Sequence, residues 1–564
     1  MIPMLLPLNT PDRPSEWWGM KITSPISGDT GSDQAVAWVR RELDGCMSQH
    51  GACTHTGCNP LPTRILRIDG PKDVRLHVTA NEVSDYVCLS HCWGTLPLIT
   101  TTSSTLESFQ QQVPWEGISK TFQDAISFTH RLGYTYIWID SLCIVQDSAE
   151  DWRHEGSKMA DIYRHASLTL AATSSSNSDE GCFVKTPGGH QSRKWIFTDA
   201  TNTAYEIHTR SSLDHSRFMH WTLPLSTRAW AFQERLLSPR ILHFTKNELI
   251  WECSECIHCE CSSIHETQWQ VTKKTTSRPN LWADEPPAEV DRQWQDIVST
   301  YRYKYLTFDK DIFPALQGLA KMVPDSMGPY LAGLWRSTLQ LNLTWYVPSF
   351  VRDPRLAEWR APSWSWASSA NPIGWTSKNH APDSWSRITC IDVLDAKVSA
   401  VGDDATGEIV SGDIWISGRC LFGKLQDFDR HKDSQLASLK LYSACGLIID
   451  VPEDGKIEMR GFFPSWESKT RIFWDYQITA AGQKHVPFGT VVLALRVEKF
   501  THGGLEWDTT AWLLLKHCNH DSGVFERIGL LYVNESGIFG RDVSRRPILD
   551  EAINSSPVMK FKIV

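Results

Sequence analysis

The chain predicts an α/β fold: a domain built on a parallel sheet, with an additional β-rich region toward the carboxyl terminus. Three observations predict it. Strand-type and helix-type patterns alternate from about residue 84 to 262, and short β-type runs broken by Gly, Asp and Pro take over from about residue 380. The 564 residues are 41% hydrophobic and 21% charged, enough apolar material for sizeable cores and little sign of bulk disorder. That length implies roughly two to four folding units and excludes a peptide hormone, a toxin or a lone zinc finger. A formal charge of −9 gives no electrostatic reason to expect nucleic acid as a partner.

Residues 1–83 are a Cys/His-rich segment ending near the turn-like Asn59-Pro-Leu-Pro-Thr-Arg64. Residues 84–262 form the alternating zone, and 263–380 a mixed connector with helices, which includes the polar stretch from Thr272 to Glu289. Residues 381–564 form the β-rich domain, with Asp413-Ile-Trp-Ile-Ser417 and Val491-Val-Leu-Ala-Leu-Arg-Val497 as clear strands. No repeat of fixed period is visible. The start, Met1-Ile-Pro-Met-Leu-Leu-Pro-Leu8, lacks the charged region and cleavage site of a signal peptide, and no apolar run approaches the ~20 residues of a membrane-spanning helix. A cytoplasmic or nuclear protein without a membrane partner is expected. The 15 cysteines then read as reduced thiols or metal ligands, and the 26 tryptophans as packing or as an aromatic ligand site.

The middle zone can be taken element by element. Tyr86-Val-Cys-Leu-Ser90 is a buried strand that stops at His91-Cys-Trp-Gly94. Phe122, Ala125, Ile126, Thr129 and Leu132 fall at helical spacing, and Gly133 ends that helix. Tyr134 to Asp140 is a second strand. Ser148, with Asp151 three residues on, caps a second helix whose buried face is Trp152, Met159, Ile162, Tyr163 and Ala166. Ser167-Leu-Thr-Leu-Ala-Ala172 is a third strand. A βαβαβ unit of this kind closes right-handed into a parallel sheet, with Rossmann- or flavodoxin-like topology. Ligands then sit beyond the carboxyl ends of the strands, where Ser90-His91-Cys92, Asp140 to Cys143 and Thr173-Ser174 emerge.

Three blocks in this zone resemble the signature motifs of the fungal heterokaryon incompatibility (HET) domain. They are Tyr86-Val-Cys-Leu-Ser-His-Cys-Trp-Gly94; Ile137-Trp-Ile-Asp-Ser-Leu-Cys-Ile-Val-Gln-Asp147 with Asp151-Trp152 and Met159-Ala-Asp-Ile-Tyr163; and Arg228-Ala-Trp-Ala-Phe-Gln-Glu-Arg-Leu-Leu-Ser-Pro-Arg240. Leu61-Pro-Thr-Arg64, Ile241-Leu-His-Phe244, Trp251-Glu-Cys253 and Arg360-Ala-Pro-Ser-Trp-Ser-Trp-Ala367 also look like pieces of extended members. The resemblance implies a fungal protein of self/non-self recognition and programmed cell death. Through the remote kinship of HET with TIR domains it implies a TIR-like fold, with NAD as a substrate. TIR enzymes place a Trp and then a catalytic Glu early in a helix, and Trp152-Arg-His-Glu155 is similar.

Glu155 is accordingly the first catalytic candidate: its carboxylate lies beside the apolar stripe, where it either stabilises an oxocarbenium-like centre or pairs with Arg153, Lys158 or another cation. Asp140, at a strand end, is either an active-site carboxylate or a cap for the turn into Ser141-Leu142. Ser90 and His91, with Cys143, allow an activated nucleophile, although no strained elbow or third orienting group is evident. Packing is the competing role for Cys88, Cys92 and Cys143. Trp93, Trp152 and Trp230 are candidate ligand-contacting indoles. Arg228 suits a phosphate or carboxylate, and Gln233 or Glu234 a ribose hydroxyl; the alternative is a clamp holding this helix to the sheet.

Cys253-x2-Cys256-x2-Cys259-x-Cys261 is a dense thiol cluster, and Cys46-x3-His50-x2-Cys53-x4-Cys58 a second, so structural zinc competes with free buried cysteines. The dinucleotide-fold glycine motif, a Walker A loop and His-Glu-x-x-His are all absent from the sequence. Trp364 and Trp366, if on a strand, share one face as an aromatic wall or as core. Three function classes follow: a HET-domain protein of incompatibility and cell death that cleaves NAD or a related nucleotide; a secondary-metabolite cyclase with a Trp-lined pocket; and a non-catalytic adaptor that binds a protein partner.

Overall fold

The computed structural model describes residues 24–53, 59–95, 97–191, 193–198, 202, 204–211, 213–215, 218, 222–264, 282, 285–348, 355–375, 385–427, 445–451, 455–460, 470–475, 486, 490–502, 509–518, 523–534, 553–556 and 558–564. The chain divides into two compact units. The first takes Met1–Leu281 with Lys304–Leu306 and Ala315–Met322; the second takes Trp282–Tyr303, Thr307–Pro314 and Val323–Val564.

The first unit is α/β. Its helices are α1 (Asp33–Gln49), α2 (Leu106–Gln111), α3 (Lys120–Leu132), α4 (Asp140–Cys143), α5 (Ala149–His165) and α6 (Ala229–Leu237). Its strands are β1 (Arg64–Gly70), β2 (Asp73–Val78), β3 (Val87–Ser90), β4 (Tyr136–Trp138), β5 (Leu168–Ala171), β6 (Arg193–Thr198), β7 (Ala204–Thr209), β8 (Arg240–Phe244), β9 (Leu249–Cys253) and β10 (Ile257–Cys259). Eight strands form one sheet in the order β10-β9-β8-β5-β3-β4-β1-β2, and β6 and β7 pair separately.

The βαβαβ core is as expected: β3 runs parallel to both β4 and β5, and β5 parallel to β8. The sheet is nevertheless mixed rather than wholly parallel. β1 is antiparallel to β4 in a long-range pairing that brings the β1–β2 hairpin onto one edge, and β9 is antiparallel to β8 in a hairpin that extends the other. Taken in chain order, β3 sends one crossover to β4 on one side and the next strand, β5, to the other. The order therefore reverses at β3, and in open α/β sheets the crevice for ligands lies between the carboxyl ends of two strands related as β3 and β5 are.

Local chemistry explains the elements that build this rim. All four residues of β3 are buried, as a strand covered on both faces requires. Helix α3 buries Phe122, Ala125, Ile126 and Phe128 and ends at Gly133, whose φ of +96° only glycine adopts without strain. Helix α5 begins where the Ser148 side chain accepts the Asp151 N–H, and it buries Met159, Ile162 and Tyr163. One expectation shifts here. The second strand stops at Trp138, and Asp140 opens the short helix α4, its Oδ1 accepting the Ser141 N–H at 2.7 Å.

The second unit is dominated by a ten-stranded sheet that includes Ile391–Ala400, Ile409–Asp427, Val491–His502, Thr509–His517, Val524–Asn534 and Val558–Ile563. Both strands predicted from Asp413 and Val491 fall within it. Trp364 and Trp366 are fully buried, but they lie in a turn leading into a 3-10 helix at Trp366–Ser368 rather than on a strand. No helix among the described residues is long and apolar enough to cross a membrane.

Candidate functional site

The carboxyl end of β3 delivers Ser90 and His91, both buried, and the amino-terminal turn of α4 delivers Asp140. Helix α6 brings Glu234 to the same place from 144 positions along the chain. The Ser90 hydroxyl donates to Glu234 Oε2 in a very short hydrogen bond. Trp93 Nε1 donates to Asp140 Oδ2 at 2.9 Å, and His91 Nδ1 lies 3.8 Å from Asp140 Oδ1. The His91 ring stands edge-on to Phe122, and its Nε2 is buried without a hydrogen-bond partner. Arg228 precedes α6 as its N-cap residue, with its guanidinium against Cys92 and its charge acting on Glu234 and His91. Three indoles of this zone are half-buried. Trp93 sits over Asp140, and Trp152 and Trp230 meet edge to face at 6.0 Å.

Burial sets the electrostatics of this group. Desolvation, assisted by the charge of Asp140, pushes the Glu234 carboxyl up to about 7 against the opposing pull of Ser90, Arg228 and Tyr163. Tyr163 bonds to that carboxyl while its hydroxyl donates to the Leu89 carbonyl at 3.0 Å. Burial likewise lowers His91, opposed by Asp140, so its imidazole is neutral at pH 7. The arrangement places a carboxyl that is half ionised near neutrality beside a hydroxyl, a second carboxylate and a guanidinium.

Residues 86–234 match the family model described as Heterokaryon incompatibility protein (HET). This segment is a HET domain. No curated protein and no solved structure matches the chain. The matched span closes on Glu234, so the HET domain contains every residue of the group just described.

The other candidates of the HET domain have different surroundings. The Glu155 side chain is buried on α5; its carboxylate lies 3.5 Å from Lys158 Nζ and 3.7 Å from His154 Nε2, and Lys158 also reaches Thr63 Oγ1 at 2.9 Å. Gln233 is buried and its Oε1 accepts the Gly318 N–H at 2.7 Å. A Cβ on Gly318 would run into Ala160 and Gln233, so this close approach requires glycine. Cys143 is fully buried, which drives its thiol up to about 12, and its carbonyl accepts Arg64 Nε at 2.8 Å. Burial is also the main cause of the raised thiols of Cys88 and Cys92. Tyr163, read from the sequence only as core, is the site residue missed; its helical spacing gave no sign that its hydroxyl meets a carboxyl.

The cysteines of the two clusters, Cys46 and Cys53 and those from Cys253 to Cys261, lie outside the matched span and do not form one four-thiolate set. Cys46, His50 and Cys53 gather around Cys253, whereas Cys259 and Cys261 join His215 and Glu248. Cys256 stands 3.4 Å from Cys253, Sγ to Sγ. Cys58 lies outside the described residues.

Proposed function

We propose that the HET domain hydrolyses the N-glycosidic bond of NAD or a related nucleotide at the carboxyl ends of β3, β4 and β5, and that this activity serves heterokaryon incompatibility and cell death. The family assignment supports the incompatibility role at family level. The observation that carries the chemistry is the Glu234 carboxyl, poised at about 7 in contact with Ser90. A base of that strength takes a proton from water at neutral pH, and its ionised form, with Asp140, stabilises an oxocarbenium-like ribose. The water oxygen bonds to the ribose carbon, nicotinamide leaves as a neutral base, and one proton is released. Arg228 suits the pyrophosphate, and the half-buried Trp93, Trp152 and Trp230 offer stacking faces to the rings. The reversal of strand order at β3 supports a flavodoxin-like, TIR-like reading of the domain, in which a nucleotide occupies that crevice.

The test is nicotinamide release from NAD by the purified full chain, followed chromatographically. Turnover is expected, and Arg228→Ala is expected to raise KM about tenfold or more while changing kcat little, because a charged phosphate contact is lost. Folded protein that releases no nicotinamide would refute hydrolysis of NAD and favour the adaptor.

A further inference from the structure

Cys46 lies in the last turn of α1, and His50 is the extended residue that ends it, its N–H donating to the Cys46 carbonyl at 3.1 Å, which holds the two residues close together. The 3-10 turn Gly51–Cys53, whose Cys53 N–H bonds to the His50 carbonyl at 3.1 Å, folds Cys53 back toward them. The end of β9 supplies Cys253 from 200 residues away. One ligand atom from each of these four side chains lies within 4.8 Å of the other three, and His50 Nδ1 stands 3.3 Å from Cys253 Sγ. Tetrahedral zinc with metal–sulfur bonds of about 2.3 Å and metal–nitrogen bonds of about 2.0 Å spaces its ligands by about 3.3 to 3.8 Å, so small movements close this cage.

Two further observations point to an ion rather than to packed thiols. The backbone N–H groups of Cys256 and Glu255 point at Cys253 Sγ, at 3.3 and 3.5 Å, which suits a thiolate acceptor. The buried Arg240 aims Nε at Cys46 Sγ from 3.3 Å, and its remaining donors bond to the carbonyls of Ser167 and Cys53. Three thiolates, a neutral imidazole and a divalent ion sum to one negative charge; Arg240 brings the buried group to neutrality. In the His215 group Cys259 Sγ likewise accepts two backbone N–H groups, from Ser263 and Ile264 at 3.3 and 3.4 Å, but an internal ion pair competes with a metal there. Glu248 accepts the Cys261 N–H at 2.7 Å and contacts His215 Nε2 at 2.6 Å, so carboxylate and imidazole satisfy one another.

We infer that Cys46, His50, Cys53 and Cys253 hold a structural zinc ion that ties the end of α1 to the β9–β10 hairpin. With all four positions filled by protein, no site is left for a reactive water, and the ion supports the fold rather than the chemistry.

The test is elemental analysis and zinc X-ray absorption on the full chain, purified without added zinc or a metal column. One zinc per chain with three sulfurs and one nitrogen is expected. A shell of four sulfurs would put Cys256, 3.4 Å from Cys253, in place of His50, two sulfurs with oxygen would assign the ion to the His215 group, and zinc-free protein would leave only thiols; each overturns the inference. Cys46→Ser and Cys253→Ser are expected to lose the ion, and His50→Cys and Cys261→Ser to keep it. Because the wild-type spectrum counts the ligands directly, a variant that fails to fold leaves the inference exposed to refutation.

Discussion

Replacing Glu234 by Gln is expected to lower nicotinamide release from NAD on the order of 1,000-fold, because it removes a positioned proton acceptor while keeping shape and most hydrogen bonds. Glu155→Gln is expected to leave turnover within about tenfold of wild type, since that carboxylate is engaged with Lys158 and His154 away from Ser90. The reverse ranking would move the chemistry to α5. The same Glu234 variant has a stability signature. The folded-state pKa of Glu234 stands above the ordinary 4.5, so the folded protein binds its proton more tightly than the unfolded chain. Its contribution is fully present below pH 4.5 and is lost as pH rises through about 7. Denaturant unfolding across that window should therefore show wild type losing about 3 kcal/mol relative to Glu234→Gln. A difference that does not change with pH would mean that Glu234 titrates as an ordinary glutamate.

In the second unit, Asp475→Asn is expected to destabilise by about 3 to 5 kcal/mol, because it leaves a buried guanidinium without its counter-charge. Arg527 is fully buried. Its Nε and one terminal nitrogen grip the two Asp475 oxygens at 2.9 and 3.1 Å, and its other donors reach the carbonyls of Leu343 and Trp345. The guanidinium also lies 3.5 Å from the centre of the Trp345 ring. Urea unfolding followed by tryptophan fluorescence registers this unit through Trp345, Trp364, Trp366, Trp375 and Trp512, all buried within it, together with the buried Trp138 and Trp251 of the first unit. A loss under about 1 kcal/mol would mean that the pair is solvated in the native protein.

Local patterns made the scaffold legible. The helical spacing from Phe122 to Leu132, the glycine at 133 and the serine cap at 148 each depend on residues within one or two turns, and each element formed where those signals stand. What the sequence concealed was long-range. That β1 and β2 extend the sheet beyond β4, or that β9 and β10 close its other edge, follows from pairing choices that no local period encodes. The contact between Ser90 and Glu234 joins two motifs that the sequence presents separately, and no local period signals it. The cysteine run misled for a related reason. Strand geometry sends Cys253 toward α1 and Cys259 toward His215, splitting a cluster that looks continuous along the chain. Trp364 and Trp366 alternate as strand residues would, yet the chain turns there and buries both.

Carbon-13 titration of the labelled Glu234 side-chain carboxyl, assigned by the resonance that Glu234→Gln removes, tests the poised carboxyl most directly. The assignment matters because burial also raises Glu498 to about 7. A Glu234 midpoint near 7 is the predicted result; a midpoint near 4.5 would contradict it and leave the strand-end group without its proton acceptor.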